Sequence, residues 1–278
     1  MASMFIAMKL GNDDLGSSFL VGKIRNYNSD FREEFGELVI CADGLFGWRK
    51  KEFEHYKASR KSDEPSEEKI KIYTFLQEFY DASVNYSPYR CIKMEGYEGD
   101  DIIAALASLP GKHVIISADK DMSQLKSKRI KIFNPIKKQF IDNGENFLRS
   151  LIIGGDPGDG IPNILSDDDT FVTDKRQRPL RAKVREPLLN AIIDPFMEID
   201  DLPEVKGISK EQIKINYKRN EKLISLKDFS DEFKTPIFEN FKDQFDKKSK
   251  ITRWLMECNS GNQIERLPDF KIGTRYEL

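Results

Sequence analysis

Residues that usually announce a chemistry are scarce in this chain. Its three cysteines, Cys41, Cys91 and Cys258, lie far apart with no paired spacing, which argues against a disulfide framework or a thiolate metal site and for a reducing compartment. The two histidines, His55 and His113, are also distant from each other, so a histidine-centred mechanism has little to draw on. No run of 18 apolar residues occurs and no charged, apolar, small-residue leader opens the chain; neither a membrane nor secretion is expected, and a cytoplasmic location is. Internal repeats and low-complexity tracts are absent as well. Excess charge of one sign is missing too, because 45 basic side chains nearly cancel 47 acidic ones.

The distribution of charge is informative where the sum is not. Residues 48–61 carry six Lys or Arg against two Glu, and residues 173–185 carry six against one Asp. Between these basic segments lie three acidic runs: Glu98-Gly-Asp100-Asp101-Ile-Ile, Ser117-Ala-Asp119-Lys-Asp121-Met-Ser-Gln-Leu and Gly155-Asp156-Pro-Gly-Asp159-Gly-Ile-Pro. Each run taken alone has an ordinary explanation, because acids favour the first turn of a helix and turns favour Asp and Gly. Together they place carboxylates repeatedly where a buried strand ends or a helix opens. Such crowding calls for cations, and hard oxygen donors suit Mg²⁺ or Mn²⁺ rather than zinc. Two such ions are suited to holding the attacking and leaving oxygens of a phosphodiester displacement, with the basic segments gripping a polyanion's backbone.

Strand-like runs at residues 37–43, 89–94 and 112–117 alternate with helical patterns at 46–59, 66–81 and 98–109, which predicts a parallel sheet with helices on both faces. Ligands of such sheets bind beyond the carboxyl ends of the strands, where Asp43, Asp119 and Asp121 fall. A strand pair around Asn134-Pro135 and a helix over 145–153 follow. Further helices are expected near 186–197, 209–219, 231–244 and 251–258, giving an α/β domain over 1–145 and a helical region over 146–278. The polar stretch 259–278 reads as a mobile end or a partner-binding segment. Trp48, Phe53 and Tyr56 lie at helical spacing, which favours core packing over base stacking.

The three acidic runs resemble, in type, order and separation, the Glu-Ala-Asp-Asp, Ser-x-Asp-x-Asp and Gly-Asp-x-x-Asp-Asn-Ile-Pro blocks of the flap endonuclease and 5′→3′ exonuclease family. Asp43, followed by Trp48-Arg49 and Tyr56-Lys57-Ala-Ser-Arg60, is similar to that family's metal-ligand Asp and basic gateway helix, most closely in its T-even phage ribonuclease H branch. The resemblance covers about residues 36–225. It implies a PIN-like parallel central sheet flanked by helices, followed by a modified helix-hairpin-helix-like region that binds DNA. It further implies Mg²⁺-dependent hydrolysis of RNA·DNA hybrids, 5′ flaps and duplex DNA in primer removal during replication, with Mn²⁺ able to substitute. Asp43, Glu98, Asp100, Asp119 and Asp121 would hold a first ion that activates a water; Asp156 and Asp159, with Asp101, would hold a second. Lys57 and Arg60 would grip the scissile phosphate, Arg49 and Lys50 would guide a single strand, and Lys175, Arg176, Arg178, Arg181, Lys183 and Arg185 would contact duplex. A monomer is expected, with a single-stranded-DNA-binding protein or a sliding clamp as replication partner.

This chain departs from the family pattern in two places. The family opens with a strand ending in another ligand Asp, and no equivalent precedes Asp43; Met1-Ala-Ser-Met-Phe-Ile-Ala-Met looks like the helix that follows that strand, and Asp13 and Asp14 are too polar in setting to replace the ligand. The chain is therefore expected to begin a few residues late, or else to be a catalytically impaired nucleic-acid-binding homologue. The second departure is Leu165-Ser-Asp-Asp-Asp, which stands where the Gly-rich hairpin of a duplex-binding module is usual. A haloacid-dehalogenase-type phosphatase could share Asp119-Lys-Asp121 and Gly158-Asp159-Gly. The short interval between them leaves no room for that fold, and Glu98-Gly-Asp-Asp would go unexplained.

Overall fold

The computed structural model describes residues 13–58, 66–142, 146–173, 175–193, 202–227 and 229–277. Along the chain run α1 (Asp13–Phe35), β1 (Val39–Cys41), α2 (Trp48–Glu52), α3 (Glu67–Tyr86), β2 (Arg90–Ile92), α4 (Gly99–Ala107) and β3 (His113–Ile116). A 3₁₀ turn (Asp121–Leu125), β4 (Ile130–Asn134), β5 (Gln139–Phe140), α5 (Phe147–Gly154), α6 (Ala182–Ile193), α7 (Lys210–Ile224), α8 (Asp231–Asp243), α9 (Ile251–Glu257) and a 3₁₀ segment (Gly261–Phe270) complete it. The chain forms two compact units: Met1–Leu45 with Pro65–Ile115 and Phe229–Leu278, and Phe46–Glu64 with Ile116–Asp228. The units are interleaved in sequence, whereas the sequence pattern suggests a single division near residue 145.

In the first unit β1 and β2 pair in parallel, with Val39 opposite Arg90 and Cys41 opposite Ile92. Strand β1 is Val-Ile-Cys, and β2 follows the buried Arg90 with Cys91 and Ile92, so apart from that arginine both strands are apolar, as suits a covered parallel pair. Helix α3 begins at Ser66, whose hydroxyl accepts from the Lys69 amide, with Glu67 and Glu68 opposing the helix dipole in the first turn. Ile92, Ile102, Ala105, Ile237 and Phe241 bury the inner faces of β2, α4 and α8 against one another. A second core gathers Val21, Tyr89, Trp254, Leu255 and Phe270, and the fully buried Trp254 indole donates to the Ser83 hydroxyl at 3.1 Å.

The carboxyl-terminal stretch is part of this unit rather than a mobile end. Glu37 donates its amide to the Thr274 carbonyl at 3.1 Å, and its side chain accepts from the Tyr276 amide at 2.8 Å. Arg90, 1% exposed, pairs with the Glu37 carboxylate at 3.1 Å, donates to the Phe241 and Tyr276 carbonyls, and lies over the Phe241 ring. A buried ion pair is tolerated when its remaining donors and acceptors are satisfied, and these contacts fix the last residues in place.

In the second unit β4 and β5 form an antiparallel hairpin, and the Ser117 amide donates to the Phe133 carbonyl at 3.1 Å. Phe53, Tyr56, Ile152, Ile161, Leu223 and Ile224 make one core, and Ile153, Ile164, Leu165, Leu188, Leu202 and Ile213 another. Two buried asparagines of α7 pin the 152–166 stretch: Asn220 donates to the Ile152 and Pro162 carbonyls at 2.8 Å, and Asn216 to those of Ile164 and Ser166 at 3.0 and 3.2 Å. The helix expected over 46–59 is only the five residues of α2, after which the chain turns and Lys57 adopts a left-handed φ of 54°. Helix α1 was not apparent in the sequence, because its polar composition conceals an apolar side marked by Val21.

Candidate functional site

Four carboxylates lie together in the second unit, each placed by a short turn. Asp119 and Asp121 follow β3; the Ser117 hydroxyl accepts from the Asp119 amide at 3.1 Å, and Asp119 Oδ1 accepts from the Asp121 amide at 2.8 Å. Asp156 opens the turn Pro157–Asp159 and accepts from the Gly158 and Asp159 amides at 2.8 and 3.3 Å. These bonds use one oxygen of each turn residue to fix the loop. Asp121 is different: its Oδ1 is buried without a hydrogen-bond donor. Burial pushes its carboxyl from the ordinary 3.8 up to about 6, helped by Asp119, Asp156 and Asp159 and opposed by Lys120.

A second loop of the same unit reaches Asp159. The Tyr56 hydroxyl donates to Asp159 Oδ2 at 2.9 Å, the Lys57 amide donates to the Asp159 carbonyl at 2.8 Å, and Lys57 Nζ stands 3.8 Å from Asp159 Oδ2. The Lys57 ammonium also lies 4.7 Å from the centre of the Tyr56 ring. Close approach of the two loops depends on Gly160, whose φ is 73° and where a Cβ would come within 2.8 Å of the His55 carbonyl. Phe53 and Tyr56 are buried, so these rings pack and orient rather than stack on a ligand. Tyr56 as the partner of Asp159 was missed in the sequence, where its position beside Lys57 was the available signal.

The first unit carries the remaining acids. Asp43 follows β1 and its Oδ1 accepts from the Gly99 amide at 2.7 Å, at the start of α4. Parallel pairing puts the ends of β1 and β2 at one edge, which is why the segment after β1 meets the turn after β2. Glu98 and Asp101 form a capping box at α4: the Glu98 amide donates to Asp101 Oδ2 at 3.0 Å and the Glu98 side chain accepts from the Asp101 amide. Asp101 is fully buried, and helix capping accounts for it. Asp100 Oδ1 accepts from the Asp101 amide at 2.8 Å.

The basic residues divide. Arg49 is 2% exposed and its Nε donates to the Leu223 carbonyl at 2.8 Å, which ties its guanidinium to the C-terminal end of α7. Lys50 is exposed and bonds the Glu54 carbonyl. Lys175 pairs with Asp169 at 2.9 Å and Asp167 at 3.3 Å, which weakens it as a phosphate grip. Arg176, Arg181, Lys183 and Arg185 are exposed. Arg178 lines an open cleft of about 480 Å³ with Asp167, Asp168, Gly207, Ser209 and Gln212. Arg60 lies outside the described residues, as does the segment Met1–Met8.

Residues 17–149 match the family model for the N-terminal, resolvase-like domain of 5′-3′ exonucleases. Residues 17–149 thus form a domain of the flap endonuclease and 5′→3′ exonuclease family. The chain is 32% identical to the flap endonuclease Xni of Shewanella denitrificans over 142 residues, 46% of this chain and 54% of that protein. It is 26% identical to the ribonuclease H of Enterobacteria phage T4 over 208 residues, 69% of this chain and 65% of the relative. With the DNA polymerase I of Helicobacter pylori it shares 32% identity over 117 residues, 12% of that protein. The chain thus spans about half the length of the Xni relative and a small part of the polymerase. Its fold is similar to that of the bacteriophage T5 flap endonuclease solved as a pseudo-enzyme-product complex with DNA and metal ions (TM-score 0.59, 18% identity, 81% of this chain and 90% of that one). A T5 5′-exonuclease with zinc bound gives a TM-score of 0.56 at 17% identity over 94% and 95% of the two chains. The α/β architecture of the family, a small parallel sheet flanked by helices in a resolvase-like, PIN-type arrangement, is the one adopted here.

The donor set around Asp121 fits a divalent cation. Its oxygens are anionic, mutually repelling and in one case buried without a donor. Among the described residues no three His, Cys, Asp or Glu side chains converge closely enough to hold an ion by themselves. Among the described residues, also, no helix is long and apolar enough to cross a membrane.

Proposed function

We propose that this chain is a divalent-metal-dependent 5′→3′ nuclease that hydrolyses phosphodiesters of 5′ flaps, duplex DNA and RNA·DNA hybrids and removes primers during replication, with Mg²⁺ as its ion and Mn²⁺ as a substitute. The observation that carries this reading is the Asp121 carboxyl, pushed to about 6 by burial and by three neighbouring aspartates, with one oxygen lacking any donor. Repulsion of that kind is retained in a fold when a cation relieves it. Family membership and the DNA-bound T5 relative support nucleic acid as the substrate.

Asp119, Asp121, Asp156 and Asp159 would hold metal within the second unit; Asp43, Glu98 and Asp100 supply carboxylates in the first. When bound, the ions neutralise phosphate charge and lower the pKa of a water. The chain's own contribution begins with orientation: the turns at Asp119 and Asp156 fix one oxygen of each residue, and the Tyr56 hydroxyl fixes Asp159. Lys57, held beside Asp159 by its amide bond and by the Tyr56 ring, presents an ammonium to the scissile phosphate and balances the charge that develops in displacement. Arg60 would share that role. Lys50, Arg176, Arg178 and Arg181 would contact phosphates, with Lys175 secondary because of its aspartate partners. Action as a cytoplasmic monomer beside a single-stranded-DNA-binding protein or sliding clamp belongs to the same proposal.

Incubation with a 5′-labelled flap and with an RNA·DNA duplex in Mg²⁺ tests the reading. Cleavage that a chelator abolishes is expected. Binding of both substrates without cleavage would overturn it.

A further inference from the structure

Between Asp43 and α2 the chain presents two large apolar side chains to solvent. Leu45 is 66% exposed and Phe46 is 73% exposed. Phe46 also has a φ of 56°, a left-handed conformation unfavourable for a residue with a bulky side chain. Burial does not offset this strain, since the ring lies outside the apolar cores. Strain that packing does not repay points to a use for the exposed side chain.

The segment is held firmly. The Gly96 amide donates to the Leu45 carbonyl at 2.7 Å and the Gly44 amide to the Tyr97 carbonyl at 2.9 Å. At Gly44 a Cβ would stand 1.7 Å from the Met94 carbonyl oxygen, so only glycine permits this approach. Charge around the pair is specific as well: Asp43 lies three residues before Phe46, and Lys50 and Lys51, both exposed, lie on the helix that follows.

We infer that Phe46 forms a stacking platform for a nucleobase of the strand whose phosphodiester is cut. An exposed ring followed by the exposed Lys50 and Lys51 matches the alternation of apolar base and anionic phosphate along a single strand, and an apolar peptide would not call for the lysines. Reach limits the position. Consecutive Cα atoms are about 3.8 Å apart, so Phe46 stands within about 11 Å of Asp43. At about 3.4 Å per nucleotide the stacked base lies within roughly three nucleotides of the phosphate handled by the Asp43 carboxylate. The inference rests on the nuclease reading above.

The test uses the full chain, chelator to prevent cleavage, and 5′-flap DNA carrying 2-aminopurine at each of the three positions on either side of the junction. Wild-type protein is expected to bind by fluorescence anisotropy and to quench one of those positions. Phe46→Ala and Phe46→Gly should bind about tenfold more weakly and lose the quench, while Phe46→Trp retains both. Phe46→Gly also relieves the left-handed backbone, so its melting temperature should equal or exceed that of the wild type, which separates lost stacking from lost folding. Unchanged affinity and quench in Phe46→Gly would overturn the platform and leave the nuclease reading standing. Self-association that disappears in Phe46→Ala with DNA binding unchanged would assign the pair to a second copy, also overturning it. Failure of wild-type protein to bind the flap would remove both readings.

Discussion

Replacing Asp121 by Asn is expected to stabilise the metal-free protein while disabling its site. The Asp121 carboxyl titrates near 6 in the folded chain against an ordinary 3.8, raised first by burial and then by Asp119, Asp156 and Asp159. Because the folded value lies above the unfolded one, the folded state holds this proton more tightly; the stability that the protonated form contributes is present below about pH 4 and is lost as pH rises through 6. A shift of roughly 2 units corresponds to about 3 kcal/mol above pH 7, and partial solvent screening of the carboxyl reduces this to about 1–2 kcal/mol. Asn keeps the shape and removes the charge. In chelator, Asp121→Asn should therefore unfold at a temperature about 3–6 °C higher than wild type at pH 7.5, with about half that gain at pH 5. Added Mg²⁺ should raise the wild type towards the variant and leave the variant nearly unchanged. Differential scanning calorimetry at the two pH values reads all three outcomes. A variant that is equally or less stable at pH 7.5, with no pH dependence in the difference, would refute the argument that Asp121 is held under electrostatic strain.

Three further outcomes are expected. Asp119→Asn and Asp100→Asn should each lower cleavage at least a hundredfold in a single-turnover assay with flap binding within a fewfold of wild type; normal cutting by either would remove that residue from the site. Lys57→Ala should lower the single-turnover rate more than the affinity if its ammonium, 3.8 Å from Asp159 Oδ2, acts on the phosphate as proposed; a pure affinity loss would make it a binding residue only. Arg49→Ala should cost about 2–3 kcal/mol in urea unfolding because it removes a buried charged donor from the Leu223 carbonyl, whereas exposed Lys50→Ala should stay within about 0.5 kcal/mol. An Arg49 variant of full stability with weakened DNA binding would return that residue to the surface role suggested by the basic segment.

The sequence revealed the parts of this molecule that depend on local pattern. Apolar runs ending at Asp43, Asp119 and the Glu98 turn marked three of the strands, although the run at 112–117 pairs with the strand at 130–134 in a sheet separate from the parallel β1–β2 pair. Helix α8, Asp231–Asp243, falls on the helix expected near 231–244. What stayed hidden depends on distant partners. Arg49 reads as one more cation in a basic segment until α7 brings the Leu223 carbonyl to it. The tail reads by composition as a mobile end or a partner-binding segment, yet Phe270 and the Glu37–Arg90 pair bind it into the first unit. Asp101 could be read as a ligand or as a cap, and the reciprocal bond with Glu98 that makes it a cap is visible only in the structure. The turn at Lys57 was hidden for a similar reason: its left-handed φ follows from contact with the Asp159 loop, and no propensity encodes it.

Mn²⁺ binding to wild-type protein, followed by electron paramagnetic resonance and compared with Asp119→Asn and Asp121→Asn, tests the central claim most directly. The account predicts a saturable site in the wild type and at least a tenfold loss of affinity in each variant with the fold retained. Equal Mn²⁺ affinity in all three proteins, or no binding to any, would contradict it.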